Sequence, residues 1–245
     1  MPLAFQEQSA DQSDGGRRVL ERLRQESLRL GFSRLGVTTA EPPPRLDHFS
    51  KWIDRGFAGV MEGWMRRHLS LRRNPGNLLH GTQSVIMLAT NYDARAIDSR
   101  ESPGRGQIAR YAIGRDYHSV LRSRLNQLGG WLEEEIPGCK TRGVVDSAPL
   151  AEREFAARAG LGWFGKNTML IDQRAGSYFF LSGLLTTVSL PIDYPVEVDH
   201  CGTCTACLDI CPTDALPEPR VLDANRCISA LTIEDHGPVA ESFRP

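Results

Sequence analysis

The chain has 245 residues, 40% of them hydrophobic and 24% charged, with a formal net charge of −1. Such a composition supplies enough apolar material for a sizeable core and excludes an intrinsically disordered chain. A charge so near zero excludes a global electrostatic footprint for nucleic acid, so any such contact needs a local patch.

The opening stretch "MPLAFQEQSADQSDGG" has neither a basic start nor a continuous apolar run, and no run of ~18 apolar residues follows. The sequence therefore predicts no signal peptide, no membrane span and a cytoplasmic location. "RRVLERLRQESLRLGF" sets Val19, Leu20, Leu23, Ser27 and Leu30 on one helical face and stops at Gly31, a favoured C-cap residue. "SRLGVTTAEPPPRLDHF" reads as a short strand, a proline turn and a second helix. "SVIMLATNYD" suits a buried strand. "DYHSVLRSRLNQLGGWLEEEI" returns to helix, and "RGVVDSA" is a second buried strand. "PLAEREFAARAG" fits a helix with Pro149 in its first turn and Gly160 past its end. "GSYFFLSGLLTTVSL" has strand propensity.

Helices alternating with apolar strands predict an α/β unit over residues 1–190, with strands covered on both faces. "PIDYPVEVD" reads as a linker into a smaller unit over residues 191–245.

That smaller unit carries the strongest signal. Cys201, Cys204, Cys207 and Cys211, followed by Pro212, reproduce the bacterial ferredoxin run C-x2-C-x2-C-x3-C-P, whose thiolates ligate 4Fe-4S clusters. Two-residue gaps let three sulfurs of one tight loop reach three iron corners, and the small Gly202, Thr203, Thr205 and Ala206 leave room. C-x2-C also occurs in structural zinc sites, but a regular run ending in Cys-Pro is unusual there. In two-cluster ferredoxins the fourth cysteine serves the other cluster, which pairs Cys211 with Cys227. Neither ligand set is complete, so at least three further cysteines are expected from a segment outside this sequence. Cys139 is read as structural or incidental.

A second constellation lies in "VVDSAPLAEREFAARAGLGWFGKNTMLI", where an acid ends a buried strand and a glycine-rich turn carries Lys166 and Asn167. Ligand sites of open α/β sheets lie at the carboxyl ends of strands. The bland alternatives are a helix cap for Asp146, turn chemistry for the glycines and a solvated charge for Lys166.

Together with "ARYAIGRDYHSVLRSRL", "CGTCTACLDICPTDAL" and "LDANRCISALTIE", that stretch resembles the epoxyqueuosine reductases, from about residue 20 onward. The resemblance implies a corrinoid-binding α/β domain related to that of reductive dehalogenases, followed by a ferredoxin-like 4Fe-4S module that is incomplete here. It implies two 4Fe-4S clusters in the complete protein and a cobalamin. Electrons from an external donor pass through them to reduce the epoxide of epoxyqueuosine at the tRNA wobble position to queuosine. The family's proton donor, an aspartate in the motif matching "VDSAP", corresponds to Asp146, which then also faces the cofactor. Cobalamin contacts are expected from Arg110, Lys166, Asn167, Ser182 and Ser229, and metal ligands from Cys201, Cys204, Cys207, Cys211 and Cys227. The basic run with Arg66, Arg67, His68, Arg72 and Arg73 beside Trp64 is either a solvated helix face or a surface for the tRNA anticodon loop. A corrinoid reductase of a small molecule and a non-catalytic electron-transfer protein are the rival readings.

Overall fold

A computed structural model describes residues 4–92, 108–196 and 198–243, with side chains from residue 14 onward. The chain opens with helix α1 (Ala4–Arg29) and strand β1 (Arg34–Thr39), then α2 (Leu46–Asp54), α3 (Glu62–Arg67) and α4 (Leu69–Arg73). Strand β2 (Ser84–Asn91), helix α5 (Tyr117–Glu135), strand β3 (Thr141–Val144) and helix α6 (Glu152–Arg158) follow. The hairpin β4 (Trp163–Phe164) and β5 (Leu170–Ile171) precedes β6 (Phe179–Thr186), and α7 (Ala206–Asp209) lies among the cysteines.

Strands β1, β2, β6 and β3, in that order, form one sheet in which every pairing is antiparallel. The sheet is covered on both faces, as the apolar runs predicted. Alternation along β2 sends Ile86 and Leu88 to one side, where Leu20 and Leu23 of α1, Leu30 just past its end, and Leu121, Leu125, Leu128 and Leu132 of α5 pack. Val85, Met87 and Ala89 face the other side, against Phe155, Ala156 and Ala159 of α6 and its flank. Each fully buried leucine or phenylalanine contributes about 1.5–3 kcal/mol through the apolar surface it removes from water.

Close approach explains Gly36. A Cβ there would lie 2.0 Å from the carbonyl oxygen of Ala159, where the end of α6 crosses β1. The predicted face of α1 is observed: Leu23 and Ser27 are buried, and Ser27 Oγ donates to the Arg24 carbonyl at 2.7 Å. Gly31, with φ +87°, closes that helix as expected. The helix extends further toward the N-terminus than the apolar periodicity reached.

Two expectations need correction. Pro149 is not in the first turn of α6; the helix begins at Glu152, after Ala151 adopts φ −80°, ψ 65°. The antiparallel sheet also removes the rule that placed a site at a shared carboxyl edge, because neighbouring strands run in opposite directions. Position near Asp146 is instead decided by side-chain contacts. Along the stretch read as a linker, Asp193 accepts from Arg24 Nη2 at 2.7 Å and from the Val37 amide at 2.9 Å, holding the chain against the edge strand. Among the described residues, no helix is long and apolar enough to cross a membrane.

Candidate functional site

Asp146 follows directly on Val145 after β3 and has φ +47°, a left-handed conformation that costs most non-glycine residues energy and that Asp tolerates better than most. Three contacts hold it. Its amide donates to Glu152 Oε1 at 2.9 Å, while its carboxylate accepts from Tyr117 Oη at 2.7 Å and pairs with His118 Nε2 at 2.9 Å. Glu152 thereby reaches back from the first turn of α6 to the acidic loop. The side chain of Asp146 remains 59% exposed, so it is presented to solvent and to ligands.

The network continues outward. His118 Nδ1 meets Asp116 Oδ1 at 2.7 Å, and Asp116 also caps α5 by accepting from the His118 amide. Burial lowers the His118 pKa, but the bonds to Asp116 and Asp146 outweigh it and leave the imidazole above its ordinary value. Burial, reinforced by Asp146, pushes the Tyr117 phenol well up, so it stays a donor. Burial and the Asp146 carboxylate raise Glu152 to about 7, against the opposing pull of the Asp146 amide, Arg153 and Arg72. Behind Asp146, Tyr117 stacks on Phe180 of β6, with ring centroids 4.1 Å apart, and Phe180 meets Tyr92 at 4.8 Å. Arg110 lies over Tyr178, which touches Tyr92 edge-on. These aromatics form a wall leading from Asp146 to Arg110.

The glycine-rich turn connects this region to the cysteines. Arg153 Nη1 donates to the Thr168 carbonyl at 2.7 Å, and Asn167 Oδ1 accepts from the Met169 amide at 3.2 Å, closing the turn. Gly162 admits no side chain, since a Cβ would lie 2.2 Å from the Ile171 carbonyl oxygen. Lys166 Nζ donates to the carbonyls of Gly202 at 2.7 Å and Cys204 at 2.9 Å. Neighbouring residues 152 and 153 therefore brace the acidic loop on one side and the glycine-rich turn on the other, and that turn grips the cysteine loop.

In the cysteine loop, the Cys204 amide bonds to the Cys201 carbonyl at 2.9 Å, and Gly202 has φ +46°. The turn brings three thiols onto one short loop, with Cys204 exposed and Cys201 and Cys207 half-buried. Among the described residues, no three His, Cys, Asp or Glu side chains converge on a single ion; ligands of a cubane attach to separate iron corners. Cys211 accepts from the Ala215 amide at 3.3 Å. Burial raises its thiol, but the amides of Ala215 and Thr213 and the Thr213 hydroxyl prevail and hold it below the usual range, as suits a thiolate ligand. The segment bearing Cys227 lies beside it: the Asp223 amide donates to the Ala215 carbonyl at 2.8 Å and Arg226 pairs with Asp214 at 3.4 Å. The module also meets the α/β unit through Trp52 Nε1, which donates to the Leu222 carbonyl at 2.5 Å, and Asn225 Nδ2, which donates to the Gly56 carbonyl at 2.9 Å.

The remaining predicted positions are dispersed. Ser182, in β6, is fully buried and its hydroxyl has no hydrogen-bond partner. Ser229 is exposed at the start of the 230–234 turn, which packs on residues 59–61. Cys139 is buried, with its thiol 3.1 Å from Thr186 Oγ1, in keeping with a structural role. The basic run is largely committed to the fold. Arg66 pairs with Glu62 and Asp54, Arg72 donates to the Leu150 carbonyl, and the Trp64 ring contacts both His68 and Arg72. Arg67 and Arg73 remain exposed, and Trp64 is half-buried. Sequence reasoning missed Tyr117, His118 and Glu152. The adjacent "DYH" was a weak signal for the first two, but only folding places it against "VDSAP".

A mixed α/β unit joined through its glycine-rich turn to a ferredoxin-type cysteine loop defines an iron–sulfur α/β protein. The family model described as "Epoxyqueuosine reductase QueG, DUF1730" matches residues 72–147, and one described as "4Fe-4S double cluster binding domain" matches residues 200–245. Epoxyqueuosine reductase of Escherichia coli K12 is 43% identical over 93% of this chain and 60% of its own length. That of Cellulophaga algicola is 39% identical over 91% of this chain and 71% of its own. The crystal structure of an epoxyqueuosine reductase with an epoxyqueuosine-modified tRNA-Tyr stem loop superposes with a TM-score of 0.86 at 34% identity, covering 93% of this chain and 60% of that one. The chain belongs to the epoxyqueuosine reductase family, and it spans about 60% of the length of the first curated relatives it matches.

Proposed function

We propose that this chain is the catalytic part of a cytoplasmic epoxyqueuosine reductase, which reduces the epoxide of epoxyqueuosine at the tRNA wobble position to the alkene of queuosine. The carrying observation is the brace between the acidic loop and the cysteine loop. Glu152 fixes Asp146, Arg153 fixes the Thr168 turn, and Lys166 in that turn fixes the carbonyls of Gly202 and Cys204. Proton delivery and electron delivery are thus mounted on one rigid element, as a reaction that consumes both requires.

Residues 1–190 form the α/β catalytic domain in this reading, and residues 191–245 the iron–sulfur module. Cys201, Cys204 and Cys207 serve one 4Fe-4S cluster, while Cys211 and Cys227 serve a second that needs further ligands. A cobalamin fits on one observation of the fold. Ser182 Oγ and Thr90 Oγ1 are buried hydroxyls without partners on the same face of neighbouring strands, which leaves their hydrogen-bonding capacity for an outside ligand. Ser182, with Arg110, Asp146, Lys166, Asn167 and Ser229, would hold it. When bound, the corrin and the clusters supply the two electrons that epoxide reduction consumes.

The protein's own task is protons and placement. Converting an epoxide to an alkene releases its oxygen as water, so that oxygen must gain two protons, and Asp146 is placed to hand them over. Tyr117 and Glu152 keep its carboxyl presented at φ +47°. Arg67 and Arg73 offer exposed charge to tRNA phosphates. The test is conversion of epoxyqueuosine-tRNA by the full-length protein loaded with clusters and cobalamin, given a chemical reductant and read by nucleoside mass spectrometry. Queuosine should appear, and Asp146→Asn should slow its formation by about 100-fold. Fully loaded protein that leaves the epoxide untouched would rule the proposal out.

A further inference from the structure

We propose that His118 is the proton store from which Asp146 draws. This rests on the reductase reading above and adds a residue to it. A carboxylate that accepts hydrogen bonds from Tyr117 and His118 has no proton of its own to give in that arrangement. The nearest movable proton is on His118 Nε2, 2.9 Å from Asp146 Oδ2.

Asp116 Oδ1, 2.7 Å from Nδ1, fixes the ring so that Nε2 points at Asp146. The bonds to the two carboxylates also favour the imidazolium over the neutral ring. Tyr117 cannot take this role, because burial and Asp146 together hold its phenol far above neutrality. The other titratable or charged groups facing this cluster are Glu152 on the α6 side and Tyr111, Arg110 and Tyr178 on the aromatic side; none of the described contacts places them on His118 itself.

The N–H bond at His118 Nε2 breaks as Asp146 Oδ2 takes that proton and becomes a neutral carboxyl; the carboxyl then gives the proton to the epoxide oxygen, an O–H bond forms there, and the carboxylate is restored. Imidazolium becomes imidazole, and the electron pair that reduces the substrate is the one the reductase reaction already uses. The His118 side chain is 34% exposed, so it takes a proton from water and the cycle delivers the second one. A purely structural histidine would need only its hydrogen bond, which glutamine can supply. A proton store needs titration, which glutamine lacks.

The experiment uses the full-length, fully loaded protein with epoxyqueuosine-tRNA. His118→Gln should slow single-turnover reduction by about 100-fold and remove the fall in rate that wild type shows as pH rises through the raised His118 pKa. Added imidazole should restore much of the rate to His118→Ala. Separately, selective histidine labelling and magnetic resonance should show His118 titrating above the ordinary histidine value, with Asp116→Asn lowering it. Wild-type rates in His118→Gln, an unchanged pH profile, failure of imidazole to rescue, or a His118 titration at or below the ordinary value would each overturn the relay. Retained activity in Asp146→Asn would instead sink the reductase assignment of Asp146, so the two failures are distinguishable.

Discussion

Replacing Glu152 with glutamine should remove most of the pH dependence of the acidic loop. Glu152 Oε1 accepts the Asp146 amide at 2.9 Å, and burial beside the Asp146 carboxylate lifts Glu152 from an ordinary 4.5 to about 7. When the loop opens, that carboxyl returns toward its ordinary value. Between these two values the closed state therefore holds a proton that the open state has released. The closed state is favoured in full below pH 4.5, loses its advantage as pH rises through about 7, and changes little above. The shift is worth at most about 3 kcal/mol at 1.36 kcal/mol per unit. Glu152 keeps some contact with solvent, so roughly half that, or about tenfold in the opening equilibrium, is a fairer magnitude. Glutamine keeps an acceptor for the Asp146 amide and has no proton to lose. Hydrogen exchange of the peptide spanning residues 144–152 in the full-length protein, corrected for intrinsic rates, should speed up by about tenfold between pH 5 and pH 8 in wild type. In Glu152→Gln only the smaller dependence that the His118–Asp146 pair imposes should remain. Identical pH dependence in the two proteins would refute the assignment of this ionisation to Glu152.

Other substitutions probe the link to the cysteine loop and the division among cysteines. Lys166→Met removes the two bonds to the Gly202 and Cys204 carbonyls and should cost about 1–2 kcal/mol of local stability. Loss of its positive charge should also move the reduction potential of the adjacent cluster downward, measured by redox titration with paramagnetic resonance; an unmoved potential would show that Lys166 does not feel the cluster. Cys204→Ser should lower iron content and cluster absorption, whereas Cys139→Ala, at a buried thiol facing Thr186, should leave iron unchanged and reduce only thermal stability. Iron loss in Cys139→Ala would contradict that division.

Much of this protein was legible in one dimension. Cysteine spacing marked the iron–sulfur loop because ligation by adjacent corners of a cluster is a local requirement, written within eleven residues from Cys201 to Cys211. Helix α1 and strands β2 and β6 were legible because their apolar periodicity reflects burial of their own faces. Asp146 stood out through its motif, and so did Lys166, whose partners could not be read.

Tertiary structure alone decided the rest. Strand direction depends on which strands meet, and apolar runs look alike in parallel and antiparallel sheets, so the antiparallel order β1-β2-β6-β3 could not be read in advance. The basic run left a solvated helix face and an RNA surface both open, and only folding showed that Arg66 is paired and Arg72 is sent to the Leu150 carbonyl. His118 and Asp146 are 28 residues apart, and Lys166 reaches Cys204 across 38. Spacing and periodicity record what a residue's chain neighbours require. A hydrogen bond between distant segments exists only once the packing of α5, α6 and the glycine-rich turn has fixed where each donor and acceptor points.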